Sequence, residues 1–288
     1  MLKTSIVCFL ASYGCAFAFE LVRLKWRPAF GRLLAFVIAL AGLIAETFYL
    51  LNRSSQLNLP PLLSSAHDWL LVLAWLVVLA YLFVTLVDRE LSIGLVVWPV
   101  VLALVISSRF VTDSPSHFLD HHQGWKMLHA STLVMGTAGV LLGFILSLLY
   151  LWQHYRLKHG QILNRSVKLP NLERTERLNR WAILLAVPCL TFGVASGVWL
   201  SVIATKESLS LNWTDPVVIG GAVTWTLMGI LFIWLITHRR TPGRQIALLT
   251  VWSCGFLLVT LVGLQVLTAA MGMPSIHGTA EVRPGASR

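Results

Sequence analysis

The chain has 288 residues, 57% of them apolar and only 12% charged, with a mean hydropathy of +0.76. Folded soluble domains carry roughly 25% charged residues, so a water-soluble globule is excluded. The net charge of +10 comes from Lys and Arg scattered between apolar runs rather than gathered on one face; this argues against nucleic acid as a partner and makes the charges reporters of membrane topology.

A hydrocarbon core about 30 Å thick asks for roughly 20 apolar residues per helix. Runs of that kind predict eight transmembrane helices near residues 4–21, 32–51, 68–87, 91–107, 129–153, 181–204, 216–237 and 246–270. The expected fold is all-α, a polytopic membrane helix bundle forming one integral membrane domain over residues 1–288. The first run ends Ala16-Phe17-Ala18, as a cleavable signal would, but its stronger charge follows it, at Arg23 to Arg32. That order predicts a retained helix with its N-terminus outside.

Eight crossings leave both termini on one side. Of the 22 Lys and Arg, fifteen fall in one set of connections: Arg23, Lys25, Arg27 and Arg32, then Arg89, then seven from Arg156 to Arg180, then Arg239, Arg240 and Arg244. The positive-inside rule therefore places residues 22–31, 154–180 and 238–245 inside and both termini outside.

Along the chain, Glu46 in the second run is the first residue that demands a partner, because an ionised carboxylate within a bilayer costs about 2.5–3.5 kcal/mol on insertion scales. Glu46, Asp68 and Gln265 are all expected in the outer leaflet. The loop His117-Phe118-Leu119-Asp120-His121-His122 has the look of a metal trap, yet beside Pro115 it reads as a solvated loop. Trp125 and His129 open the fifth helix. Gly139-x-x-x-Gly143 and Gly193-x-x-x-Gly197 predict close helix packing in the fifth and sixth helices. Leu172, Thr175, Leu178 and Ala182 form a helical stripe after Pro170, read as an interfacial helix entering the sixth span.

His277 follows the eighth run. Antiparallel crossings bring the outer ends of helices five and eight within reach of each other, so His129 and His277 are topologically able to ligate one haem iron from opposite faces. Trp69, Trp125 and Trp213 fall at the same outer boundary, where an interfacial aromatic belt is the other explanation for each. The four cysteines (Cys8, Cys15, Cys189, Cys254) lie in apolar runs with no C-x-x-C spacing, which argues against a disulfide framework or a covalent haem site. No Walker loop, G-x-S-x-G or G-x-G-x-x-G occurs, so enzymatic turnover is not expected. Inverted repeats and broken midplane helices, which a secondary transporter would want, are not apparent either.

The order of several short motifs is specific. They are Ser64-Ser65-Ala66-His67-Asp68-Trp69 with Leu73-Ala74-Trp75, Trp125-Lys126-Met127-Leu128-His129, Leu169-Pro170-x-Leu172-Glu173 before Arg177-Leu178, and Pro188-x-Leu190-Thr191-x-Gly193. Asp215-Pro216, Thr224-Trp225, Gly263-Leu264-Gln265 and Ile276-His277 complete the series. Over roughly residues 60 to 278 the chain resembles the cytochrome c assembly proteins of the CcsA, CcmC and HemX type, most closely the HemX-like branch.

The resemblance implies a haem-handling accessory protein of the cytoplasmic (inner) membrane, acting in cytochrome c assembly or haem homeostasis and binding haem noncovalently at the outer face. It implies axial ligation by His129 and His277, walls from Trp213 and Trp125, and Asp215 as an orienting group. The implied partners are membrane lipid, haem, and cytochrome c assembly proteins or tetrapyrrole-synthesis enzymes. Family members that present haem carry a W-G-x-x-W-x-W-D-P run, where this chain has Leu211-Asn212-Trp213-Thr214-Asp215-Pro216. That departure supports an alternative: a non-catalytic structural or regulatory membrane subunit that stabilises a partner and has lost haem binding.

Overall fold

The computed structural model describes residues 5–26, 31–87, 93–111, 122–158, 172–206, 216–237 and 243–258, all of them helical or in short connections. In chain order the helices are α1 (Ile6–Trp26), α2 (Gly31–Leu57), α3 (Pro61–Ser64), α4 (Ala66–Val87), α5 (Gly94–Ser108), α6 (Gln123–Lys158), α7 (Leu172–Lys206), α8 (Pro216–Thr237) and α9 (Gly243–Leu258). Among the described residues there is no strand. Seven of the expected spans overlap one of these helices, the eighth is described only over residues 246–258, and α3 is a single turn held by Pro60 and Pro61 between α2 and α4.

Among the described residues five helices are long and apolar enough to cross a membrane: Leu33–Leu57, Ala66–Val87, Gln123–Lys158, Leu172–Thr205 and Val218–Thr237. Two shorter apolar helices, Ile6–Val22 and Gly94–Ser108, lie among them. The outward-facing side chains are themselves apolar, with Phe83, Leu185, Phe192, Ile233 and Trp252 all exposed. Water would penalise such a surface and acyl chains would not, so the protein is a multi-pass membrane protein.

The chain packs as two layers sharing α6. One core joins α1, α2, α4 and α5 to one face of α6 through Phe9, Tyr13, Leu71, Val78, Trp98, Leu141 and Ile145. The other joins α7, α8 and α9 to its opposite face through Val140, Ile183, Ala186, Met228, Leu235 and Cys254. A helix covered on both sides must be apolar around most of its circumference, and α6 buries Val134, Leu141, Ile145, Leu149 and Tyr150 in succession.

At 36 and 35 residues, α6 and α7 are each about 50 Å long, well beyond the hydrocarbon thickness. The Leu172–Ala182 stripe is the start of α7 itself. As expected it enters the sixth span, as one continuous helix with it, with Thr175, Asn179 and Ile183 buried. The physical reason is that α6 extends equally far and offers that stripe a helix to pack on.

Both glycine motifs lie in the α6–α7 seam. A Cβ on Gly139 would stand 2.8 Å from Ala186 Cβ, and one on Gly136 would stand 2.9 Å from the Leu190 backbone nitrogen. One on Gly193 would stand 2.5 Å from Leu133 Cδ2. Small residues here let the two backbones approach, so the packing reading of these motifs holds.

Glu46 is fully buried and accepts a hydrogen bond from the Tyr13 hydroxyl at 2.6 Å. It is shielded from lipid as expected, and the partner described for it comes from the first helix. Tyr13 reaches it because position 42 is glycine, where a Cβ would stand 2.6 Å from the Tyr13 ring. The other face of Tyr13 stacks on Trp98 at 5.6 Å, and Trp98 meets Tyr81 edge-on at 4.9 Å. Tyr81 in turn donates to Glu20 at 3.1 Å.

Candidate functional site

The predicted ligand His129 lies in the second turn of α6, which begins at Gln123, six residues before the expected start of the span. Hydropathy trims this end because Gln123, Lys126 and His129 interrupt the apolar run. His129 is half-buried, and its Nδ1 is 2.8 Å from the carbonyl oxygen of Gly193 on α7. A carbonyl only accepts, so Nδ1 carries the proton and Nε2 carries the lone pair. Ser196 donates to the same carbonyl at 2.8 Å.

The ring fits because α7 has no side chain opposite it. A Cβ on Gly197 would stand 2.7 Å from His129 Cε1 and 3.1 Å from Nδ1. One turn before His129, Trp125 pairs with Trp199 of α7, with ring centroids 6.1 Å apart and planes 48° from parallel. Both indoles are substantially exposed, at 44% and 51%. The described part of the site is thus an imidazole with a fixed tautomer beside two accessible tryptophans.

Trp199 is the residue sequence reasoning missed. Its signal was the pairing of the two glycine motifs: an antiparallel register that sets Gly136 on Leu190 and Gly139 on Ala186 also sets Gly197 on His129 and carries Trp199 to the same end.

The other expected site residues, His277, Trp213 and Asp215, lie outside the described residues, as do Gln265 and His117 and His121 of the loop. Among the described residues no three His, Cys, Asp or Glu side chains come together as a metal site. Of the remaining histidines, His67 is buried and doubly engaged: Nδ1–H donates to the Ser108 carbonyl at 2.7 Å, and Nε2 accepts from the Tyr49 hydroxyl at 3.4 Å. The nitrogen that a metal would need is hydrogen-bonded to a phenol in His67. His154 stacks on Tyr150 one turn away along α6, at the opposite end from His129.

Beside His67, a charged cluster ties α2, α3 and α4 together. The Arg53 Nε lies 2.6 and 2.7 Å from the two carboxylate oxygens of Asp68, which is 1% exposed. The Ser64 hydroxyl donates to Asp68 Oδ2, and the Asp68 backbone N–H donates to Ser65 Oγ at 3.2 Å. These groups hold the shape of the His129 end of the bundle and offer no accessible ligand atom.

The described residues fit a haem iron at one position. Metal-bound histidines commonly donate their second ring N–H to a backbone carbonyl, which fixes the tautomer and raises the basicity of the coordinating nitrogen. His129 has that arrangement.

The model of the family described as "Cytochrome C assembly protein" matches residues 63–272, well over half of the chain. A curated relative, "Cytochrome c biogenesis protein CcsA" of Arabis hirsuta, is 26% identical over 192 residues. That alignment covers 52% of this chain and 56% of the relative, so the chain spans little more than half of that protein's length. No solved structure matches.

Proposed function

Because the chain belongs to the cytochrome c assembly protein family, we propose that it is a haem-handling accessory protein of the cytoplasmic membrane, binding haem noncovalently at its outer face. The observation that carries this reading is His129, whose Nδ1–H donates to Gly193 and whose Nε2 is thereby the basic nitrogen. Haem, when bound, would supply an iron that imidazole nitrogen can ligate. The chain's own part is to present His129 from the rigid α6–α7 pair, with His277 as the second ligand. Trp125 and Trp213 wall the ring and Asp215 orients it. There is no turnover, and the process served is cytochrome c assembly or haem homeostasis.

The placement follows from eight crossings with both termini outside, which sets the arginine-rich connections inside and His129 outside. On this reading the chain stands nearest the HemX-like branch of the family. Its partners on this reading are membrane lipid, haem, and either assembly proteins or tetrapyrrole-synthesis enzymes.

The single tryptophan of the Leu211–Pro216 segment favours one other reading, a structural or regulatory subunit without haem. A spectrum separates the two. Purified protein titrated with haem should show a bis-histidine Soret band and a sharp α band on reduction. Protein that stays colourless would establish the second reading. Topology is checked separately: Arg165→Cys should be inert to a membrane-impermeant thiol reagent in intact cells, and labelling there would invert the proposed orientation.

A further inference from the structure

The His129 end of the α6–α7 seam carries two rungs one helical turn apart. In the first, Ser196 Oγ lies 3.4 Å from His129 Nδ1, and the place a Gly197 Cβ would take lies 3.6 Å from Nε2. Trp125 precedes His129 by one turn and Trp199 follows Ser196 by one turn, so in an antiparallel pair they make the next rung, about 5–6 Å along the axis. Their ring centroids are 6.1 Å apart. The basic nitrogen and the indole pair therefore border one stretch of the α6–α7 surface.

An indole that only anchors a helix at the membrane boundary needs no second ring beside it. Trp181, 57% exposed at the other end of α7, fits that role. Trp75 and Trp225 give their indole N–H groups to Thr47 and Thr191. Trp125 and Trp199 instead meet each other across the seam with planes 48° from parallel, yet both stay exposed. Packing that served only to join α6 to α7 would bury them, as Leu190 and Ala186 are buried against Gly136 and Gly139. The two rings open as a wedge with about half of each indole uncovered.

We propose that this wedge is a binding subsite for the porphyrin macrocycle itself, so that the protein holds a tetrapyrrole ring whether or not the ring carries iron. A flat aromatic ring laid on one indole meets the other edge-on, and aromatic rings favour both arrangements at centroid distances of about 4.5–7 Å. Iron-free porphyrin offers His129 Nε2 nothing to ligate, so its retention falls to the two indoles. The kind of ring rests on the haem reading above, whereas the part played by the indoles does not depend on the iron.

The probe is iron-free protoporphyrin IX, titrated into the full-length protein in detergent and read by the anisotropy of porphyrin fluorescence, with protein-free micelles as the blank. Saturable binding is expected. Trp199→Ala and Trp125→Ala should each weaken it by about tenfold, the equivalent of one lost aromatic contact. Trp199→Phe, which keeps a ring, should stay within about threefold of the parent, and Trp181→Ala should leave binding unchanged. Both indoles of the wedge lie on the surface, so alanine there spares the two cores; should it still prevent folding, Trp199→Leu against Trp199→Phe makes the same comparison with bulk retained. His129→Ala separates this proposal from the haem reading, since it should lose the low-spin haem spectrum and keep porphyrin binding. A parent protein that binds porphyrin in the wedge but gives no bis-histidine spectrum with haem would sink the ligation and support the wedge. Anisotropy that never saturates above the micelle blank, porphyrin binding lost with His129→Ala, or tryptophan variants that titrate like the parent would each overturn the proposal.

Discussion

Replacing His129 with alanine should abolish the low-spin haem spectrum, and Gly197→Ala should weaken haem binding without removing any ligand. The first follows from ligation: with one axial imidazole gone, haem is left at most five-coordinate. His277→Ala should leave a five-coordinate remnant on His129, whereas His121→Ala and His122→Ala should change little. The second variant is the sharper test, because it reads the geometry of the seam. A Cβ at position 197 stands 2.7 Å from His129 Cε1, so ring or helix must shift. Overpacking of this kind costs about 1–3 kcal/mol, and every 1.4 kcal/mol falling on the bound geometry is about tenfold in affinity. A loss of about tenfold or more is therefore expected by haem titration. If Gly197→Ala titrates like the parent protein, the fixed imidazole does not hold the iron.

The largest stability effect should come from Asp68→Ala. The carboxylate is 1% exposed and the Arg53 side chain only 19% exposed, so removing Asp68 takes a carboxylate away from a largely buried guanidinium. Breaking a buried pair on one side costs about 3–5 kcal/mol. Thermal melting in detergent should fall by several degrees, and less for Asp68→Asn, which can still accept from Ser64. The double variant Arg53→Ala with Asp68→Ala should recover part of the loss, since no charge is then stranded. A single Asp68→Ala variant that melts with the parent would mean that Arg53 finds water at no cost.

The positions of the helices were legible in the amino-acid sequence because each is decided locally: a run of apolar residues long enough for a bilayer has one way to satisfy its backbone there. The boundaries were less legible where packing extends a helix past its apolar run. Gln123 to Leu128 and Leu172 to Arg180 are polar enough to end a hydropathy window, yet they remain helical in α6 and α7. The motif order likewise carried the family.

What composition and spacing could not reveal were the pairings. Sequence determined that Glu46 needs a partner, because burying a carboxylate is costly wherever it sits. Only the tertiary structure decided that the partner is Tyr13, because that depends on Gly42 clearing a path between α1 and α2. In the same way, sequence determined that His129 stands near the start of a long helix, and the structure puts it in the second turn and not the first. The tautomer of its ring and its tryptophan neighbour Trp199 were decided by the antiparallel register of α6 and α7, and the engagement of His67 by its Tyr49 and Ser108 contacts. Those contacts join residues as far apart as Trp125 and Trp199, and local periodicity has no access to them: it fixes which face of a helix a residue occupies, while the partner on the other side is chosen by packing.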